Sequence, residues 1–299
     1  MNPSFQRRTL LLAASVLPLA SACTAGFAKT SSSSSSSSAE SQLAELERAS
    51  GGRLGVTGFD TGTGARIQHR AHERFPMCST FKLMLAAAVL ERSAKEPDLL
   101  ARQLSYGRSD LIANSPITEK HVTTGMRVAE LCAATIQYSD NAAANVLLRL
   151  LGGPGEVTAF SRRIGDQVFR LDRTEPELNT SIPGDMRDTT TPSAMSDSVQ
   201  RLVLGDALGA PQRDLLKTWL LGNTTSKERF MAGVPAGWKV GDKTGAGSYG
   251  SNNDVGVLWP PAGAPLVLSV YLTFSQKDAK TRNDVVAAAT RIAVTALAG

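Results

Sequence analysis

Ser79-Thr80-Phe81-Lys82 sets an alcohol and an amine three residues apart, a spacing that puts both on one face of a helix. A serine alcohol is a weak nucleophile until a base takes its proton. A lysine whose pKa is depressed by burial or by a neighbouring cation is such a base. At a helix start the outward-pointing backbone N–H groups favour developing negative charge. Ser-x-x-Lys pairs also arise by chance in any chain of this length, so the pair gains meaning only in company.

Three further clusters supply that company. Ser139-Asp140-Asn141 offers a second hydroxyl and an amide; taken alone it reads as the N-cap of a following helix, where all three residue types are favoured. Lys243-Thr244-Gly245, followed by Ala246-Gly247, combines a cation, a hydroxyl and permissive backbone that could hold a substrate carboxylate and present an N–H to an oxyanion. Its plainer reading is a strand end with a surface lysine. Glu175-Pro176-Glu177-Leu178-Asn179 places a carboxylate and an amide four residues apart, able to hold one water between them for deprotonation; exposed loop polarity is the alternative.

The elements that must carry these groups follow from periodicity. Ala39–Ser50 is helix-like, and Gly51-Gly52 stops it. Arg53–Phe59 and Ala65–His69 read as strands joined through Asp60–Gly64 into a hairpin. Thr80–Ser93 is apolar nearly all round, the pattern of a centrally buried helix. Helical patterns follow at Val128–Thr135, Asn141–Leu151, Gly155–Ile164, Ser193–Leu204 and Pro211–Leu221. Arg170–Thr191, with Pro176, Pro183 and Gly184, interrupts them as a long irregular segment of the kind that usually carries function. Strands return at Trp238–Asp242, Val255–Trp259 and Leu266–Phe274, and Thr281–Leu297 closes as a helix. The two ends therefore pair into one antiparallel sheet. The expectation is an α/β plus all-α fold: a five-stranded antiparallel sheet flanked by the terminal helices, with an inserted helical domain. Residues 40–75 and 220–299 form the sheet domain and 76–219 the helical one, and the cleft between them is a favoured ligand site.

The 299 residues, 42% apolar and 20% charged, exclude disorder over the whole length. The formal charge is +5, from 32 Lys+Arg against 27 Asp+Glu. Residues 1–39 hold Arg7, Arg8 and Lys29 and no acid, which leaves 29 against 27 beyond them, or +2. That balance gives no support to a nucleic-acid partner. His69, His72 and His121 are too few and too scattered for a dizinc site; His69 and His72 read as surface residues. No Gly-x-Ser-x-Gly surrounds Ser79.

The four clusters, in this order and at these separations, resemble the class A serine β-lactamases, over essentially the whole chain beyond the leader. The resemblance implies that Ser79 attacks the β-lactam carbonyl, with Lys82 in its proton network and either Lys82 or Glu175 through a water as the acylation base. Ser139 would pass a proton to the departing nitrogen. Asn141 would steady Lys82 and meet the substrate's side-chain amide. Glu175 with Asn179 would activate the water that releases product. The N–H groups of Ser79 and Ala246 would form the oxyanion hole, and Lys243 and Thr244 would bind the ring carboxylate. Arg173 and Asp188 would pair across the neck of the loop, and the Glu175-Pro176 bond resembles one the family often keeps cis. Ser251-Asn252-Asn253 lacks an arginine found there in many members; Arg229 stands where others supply that charge. No metal and no cofactor are implied, and a monomer is the default. Some members bridge the cysteine beside the nucleophile to a position that here is Gly247, and others bridge the equivalent of Cys132 to a position that here is Ala86. Cys78 and Cys132 should therefore be free, and the first missing bridge argues against a carbapenem specialisation.

Residues 1–22 read as an export signal: Arg7 and Arg8, the apolar run Thr9–Ala20, and Ala20-Ser21-Ala22 for cleavage. The paired arginines suit a twin-arginine route as well as an ordinary one. Cys23 follows where a lipoprotein signal places its acylated cysteine, though Ala20 stands three before it rather than leucine; anchoring and plain cleavage both remain open. Residues 23–39, with the serine run Ser31–Ser38, read as a flexible linker. The expected location is the periplasm.

Overall fold

The computed structural model describes residues 31–298. The export signal, Cys23 and the first part of the linker lie outside the described residues. The first helix, α1 (Ser31–Ser50), takes in the serine run, which corrects the reading of that run as a spacer. Ala39 and Leu43 are buried and seat the helix on the sheet. Once that nucleus exists, each added residue gains a backbone hydrogen bond, and serine costs only about 0.5 kcal/mol against alanine.

In chain order the remaining elements are β1 (Arg53–Asp60), β2 (Arg66–His69), β3 (Phe75–Pro76), α2 (Phe81–Ser93), β4 (Gln103–Leu104), β5 (Met126–Arg127), α3 (Val128–Gln137), α4 (Asn141–Leu151), α5 (Pro154–Arg163), β6 (Thr189–Thr190), α6 (Pro192–Val203), α7 (Ala210–Leu221), α8 (Phe230–Gly233), β7 (Lys239–Ala246), β8 (Asn252–Trp259), β9 (Leu266–Thr273) and α9 (Asn283–Ala298). Five strands make one sheet in the order β2-β1-β9-β8-β7, every pair antiparallel. β3 pairs with β6 and β4 with β5 as two short ribbons. The N-terminal hairpin and the C-terminal meander thus join through β1 and β9, as the alternation of apolar residues requires.

That alternation also assigns the faces. On β9, Leu266, Leu268, Val270 and Leu272 join the core under α1 and α9, whereas Val267 and Tyr271 join the larger core shared with the helices on the other face. α6 packs on this second face against β1, β8 and β9. Helix α2 is buried along its whole length except Glu91 and Arg92, because α3, α4, α5 and α7 surround it. An all-round apolar helix has nowhere else to go. Among the described residues no helix is long and apolar enough to cross a membrane.

Two strand boundaries differ from expectation. Lys243-Thr244-Gly245 lies inside β7 rather than beyond its end, and β8 begins at Asn252 rather than Val255. The ladder runs unbroken from Lys239↔Trp259 to Ala246↔Asn252. Apolar patterning follows side chains, while strand pairing is a backbone matter, so polar residues continue a strand when the sheet covers them.

Candidate active site

Ser79 sits in a 3₁₀ turn, Cys78–Thr80, that leads directly into α2. Cys78 adopts φ 46°, a left-handed conformation that turns the chain sharply before the serine. The next helical turn returns Lys82 beneath Ser79, with Nζ 3.0 Å from Oγ. Lys82 is fully buried. Its Nζ also donates to Asn141 Oδ1 at 2.6 Å, to the Ser139 carbonyl at 2.8 Å and to Ser139 Oγ at 3.3 Å, and lies 2.9 Å from Glu175 Oε1. Burial pushes the Lys82 pKa down, against the opposing pull of the Glu175 charge.

Asp140 explains how Ser139 and Asn141 come to be there. Its carboxylate caps α4 by accepting from Ala143 N at 2.9 Å. It also accepts from Ile117 N, Thr118 N and Thr118 Oγ1, each at 2.9 Å. The cap reading of this triplet is thus correct, and it is what carries the flanking side chains into the cleft. Ser139 itself holds φ 56°.

The third wall is β7. Lys243, fully buried, donates to Ser139 Oγ at 3.1 Å and to the Thr244 carbonyl at 2.8 Å. The reading of a surface lysine is therefore wrong: the ammonium is enclosed by α4's entry and the sheet. Its pKa is driven well below the ordinary lysine value by burial and by the repulsion of Lys82. A Cβ on Gly245 would stand 2.8 Å from the Met77 carbonyl and 3.2 Å from Ser79 N, so the strand can lie against the Ser79 turn only with glycine there. Ala246, next along, is the last residue of β7 and pairs with Asn252.

Glu175 arrives on the long loop, at a cis Glu175-Pro176 peptide bond. Its carboxylate is buried, with Oε1 3.3 Å from Ser79 Oγ and Oε2 accepting from Asn179 Nδ2. Asn179 Oδ1 is buried and accepts no hydrogen bond from the protein. The loop is tied at its neck by Arg173 Nε to Asp188 Oδ2 at 2.6 Å; Asp188 Oδ1 accepts from the N–H groups of Asp172 and Arg173 at 2.8 and 2.9 Å. Asn145 on α4 clamps it from above, donating to the Glu175 carbonyl at 2.8 Å and accepting Glu175 N at 3.0 Å. Sequence reasoning passed over Asn145; its spacing of four from Asn141, on the same helical face, was the available signal.

Arg229 lies behind β7 and β8. Its Nη1 donates to the carbonyls of Gly245 and Asn253 at 3.1 and 2.9 Å, and Nε donates to Asn283 Oδ1 at 2.9 Å. It braces the two strands. Asp242 and Asp254, on facing strands, form a buried acid pair that the sequence did not disclose; burial and mutual repulsion hold Asp254 well above the usual carboxylate range. Cys78 and Cys132 are both free and buried. A Cβ on Gly247 would stand 2.8 Å from Cys78 Sγ. His72 is exposed, but His69 is half-buried and bonds Glu47 at 2.8 Å, so only the first of these two histidines is a simple surface residue.

A nucleophile at a helix start, two buried lysines, a bridging hydroxyl and a loop carboxylate within reach of one oxygen define a serine acyl-transfer site. The model of the Beta-lactamase enzyme family matches residues 38–297. The chain is 52% identical over 292 residues to beta-lactamase OXY-1 of Klebsiella oxytoca, covering 98% of each. It is 55% identical over 253 residues to beta-lactamase CTX-M-8 of Citrobacter amalonaticus, covering 85% of this chain and 87% of that one. A crystal structure of a beta-lactamase from Desulfarculus baarsii superposes with a TM-score of 0.86 at 56% identity, over 87% of this chain and 97% of that one. The chain belongs to the beta-lactamase enzyme family, as a class A serine β-lactamase.

Proposed function

We infer that the protein hydrolyses the amide bond of β-lactams, penicillins and cephalosporins among them, through an acyl-serine intermediate, and so confers antibiotic resistance. The observation that carries this is the position of one oxygen: Ser79 Oγ lies 3.0 Å from Lys82 Nζ and 3.3 Å from Glu175 Oε1. Ser79 attacks the lactam carbonyl. Its proton goes to Lys82 in its neutral form or to Glu175 through a water. The N–H groups of Ser79 and Ala246 receive the oxyanion. Ser139 Oγ accepts from both Lys82 and Lys243, which leaves its own proton free for the departing nitrogen. Lys243, Thr244 and the charge of Arg229 hold the ring carboxylate, and Asn141 meets the side-chain amide. Glu175 then takes a proton from a water whose second hydrogen suits the unpartnered Asn179 Oδ1, and that water clears the ester.

Turnover of a chromogenic cephalosporin by the purified mature protein is the direct test; none at micromolar enzyme defeats the reading. A penicillin sensor that stays acylated, or a D,D-peptidase of the cell wall, would use the same serine and lysine. Glu175 separates them, because only an enzyme that clears the β-lactam adduct needs it. A stable adduct on the wild-type protein in mass spectrometry favours the sensor.

The sheet (40–75 and 220–299) and helical (76–219) regions act as two lobes around this cleft. The protein works as an exported periplasmic monomer without metal, cofactor or nucleic acid. A diacylglyceryl mass on Cys23 from native membranes marks the anchored form, and a soluble N-terminus beyond it the cleaved one. Export through the twin-arginine route requires Arg7-Arg8, so replacing both by lysine blocks it there and not in ordinary secretion.

A further inference from the structure

Thr244 has a hydroxyl whose single proton can be followed. Its Oγ1 lies 2.5 Å from Thr225 Oγ1. Thr225 Oγ1 also lies 2.8 Å from Asn223 Oδ1, and Thr225 N lies 3.0 Å from that same atom. A backbone N–H only donates, so the Asn223 atom facing it is oxygen, and the orientation of the amide is fixed by chemistry. The Asn223 Nδ2 that remains donates to Asp242 Oδ1 at 2.7 Å, as a buried carboxylate requires. The Thr225 hydroxyl must then spend its one proton on Asn223 Oδ1, since two acceptors would otherwise face each other. In the 2.5 Å contact Thr244 is therefore the donor and Thr225 the acceptor. Each hydrogen bond along Thr244, Thr225 and Asn223 is thus donated toward buried Asp242, and the Thr244 proton is spent inside the protein.

We propose that Thr225 and Asn223 are positioning residues that hold the Thr244 hydroxyl proton away from the substrate carboxylate and so weaken ground-state binding of carboxylate-bearing β-lactams. This rests on the reading above that Thr244 meets that carboxylate. To donate to it, Thr244 has to give up its bond to Thr225, and that exchange subtracts from affinity. Restraint of ground-state binding of this kind spares the barrier to acylation.

The test measures the Kd of benzylpenicillin by titration calorimetry in a Ser79→Ala background, where no acylation mixes with binding. Adding Thr225→Ala lowers Kd by about 2- to 10-fold, the worth of one released hydrogen bond. Thr225→Ser, which keeps the acceptor, returns Kd to the background value. Thr244→Ala raises Kd, and the Thr225→Ala gain vanishes when Thr244→Ala is present. Asn223→Ala, which frees Thr225 to donate to Thr244, also lowers Kd and serves if Thr225→Ala fails to fold by thermal melting. An unchanged or raised Kd in folded Thr225→Ala, with Thr244→Ala still raising it, overturns the proposal alone. No effect of Thr244→Ala on Kd overturns the carboxylate role of Thr244 and the proposal with it.

Discussion

Lys82 Nζ has five oxygen neighbours and, as an amine or ammonium, at most three protons. Asn141 Oδ1 and the Ser139 carbonyl can only accept, so two N–H bonds are committed. The third is shared among Ser79 Oγ, Ser139 Oγ and Glu175, and burial lowers the Lys82 pKa against the pull of the Glu175 charge. Glu175→Gln should therefore still acylate but lose about 10² to 10⁴ in deacylation, seen as a persistent adduct of substrate mass in intact-protein spectra. Removing the Glu175 charge also lowers the Lys82 pKa further. Acylation in that variant should rise with pH through a titration below the ordinary lysine value of about 10.4; a flat profile takes Lys82 out as the base. For Arg229→Ala the structure predicts two effects at once: a higher KM for carboxylate-bearing substrates, and a lower Tm because the Gly245 and Asn253 carbonyls lose their donor. A normal KM would leave only the bracing role.

At the scale of elements, the cleft depends on β7 lying against the Ser79 turn. Gly245→Ala forces the strand away from Met77 and Ser79 N. A shift of that order at a reacting centre costs about 10²-fold, so kcat should fall by roughly that factor while circular dichroism stays native. Behind the same strand, the raised pKa of Asp254 ties stability to pH. A carboxyl whose folded pKa stands above about 4 keeps a proton that the unfolded chain has released. Its contribution is full below that pH and is lost as pH rises through the elevated value. Asp254→Asn needs no such proton, so its Tm should fall less than the wild type's between pH 5 and alkaline conditions; parallel curves would contradict the raised Asp254 pKa. The elements themselves were mostly legible in the sequence. Helix α2 announced itself through its unbroken apolar surface, and the helical middle agreed to within a residue or two at most ends. What periodicity could not read were polar stretches buried by the sheet, such as Lys243–Gly245 and Asn252–Asp254, because their cover comes from residues distant in sequence. The site was legible as motifs, since Ser79, Lys82, Ser139, Glu175 and Lys243 do converge. The supports Asn223, Thr225 and Asp254 were not, because an isolated polar side chain has no spacing to betray it, and Asn145 offered only its spacing of four from Asn141.

For the whole molecule, two cores on opposite faces of one sheet hold the fold together without a cross-link among the described residues. Burial pushes the Cys78 thiol up to about 12 and raises Cys132 as well. In protein lacking the leader through Cys23, a thiol reagent should find no reactive group in the native state and two after denaturation, and reductant should leave Tm unchanged. One fast-reacting native thiol would contradict this. Asp140 carries a wider consequence. One carboxylate starts α4 and pins the Ile117–Thr118 segment, so a change there unwinds a helix and disorganises the catalytic pair together. Ile182 and Met186, by contrast, stand half exposed on the outer rim of the loop that bears Glu175, where substitutions touch little. Mutation of this chain thus meets a rigid centre that it must leave intact and an outer margin where exposed side chains are free to vary.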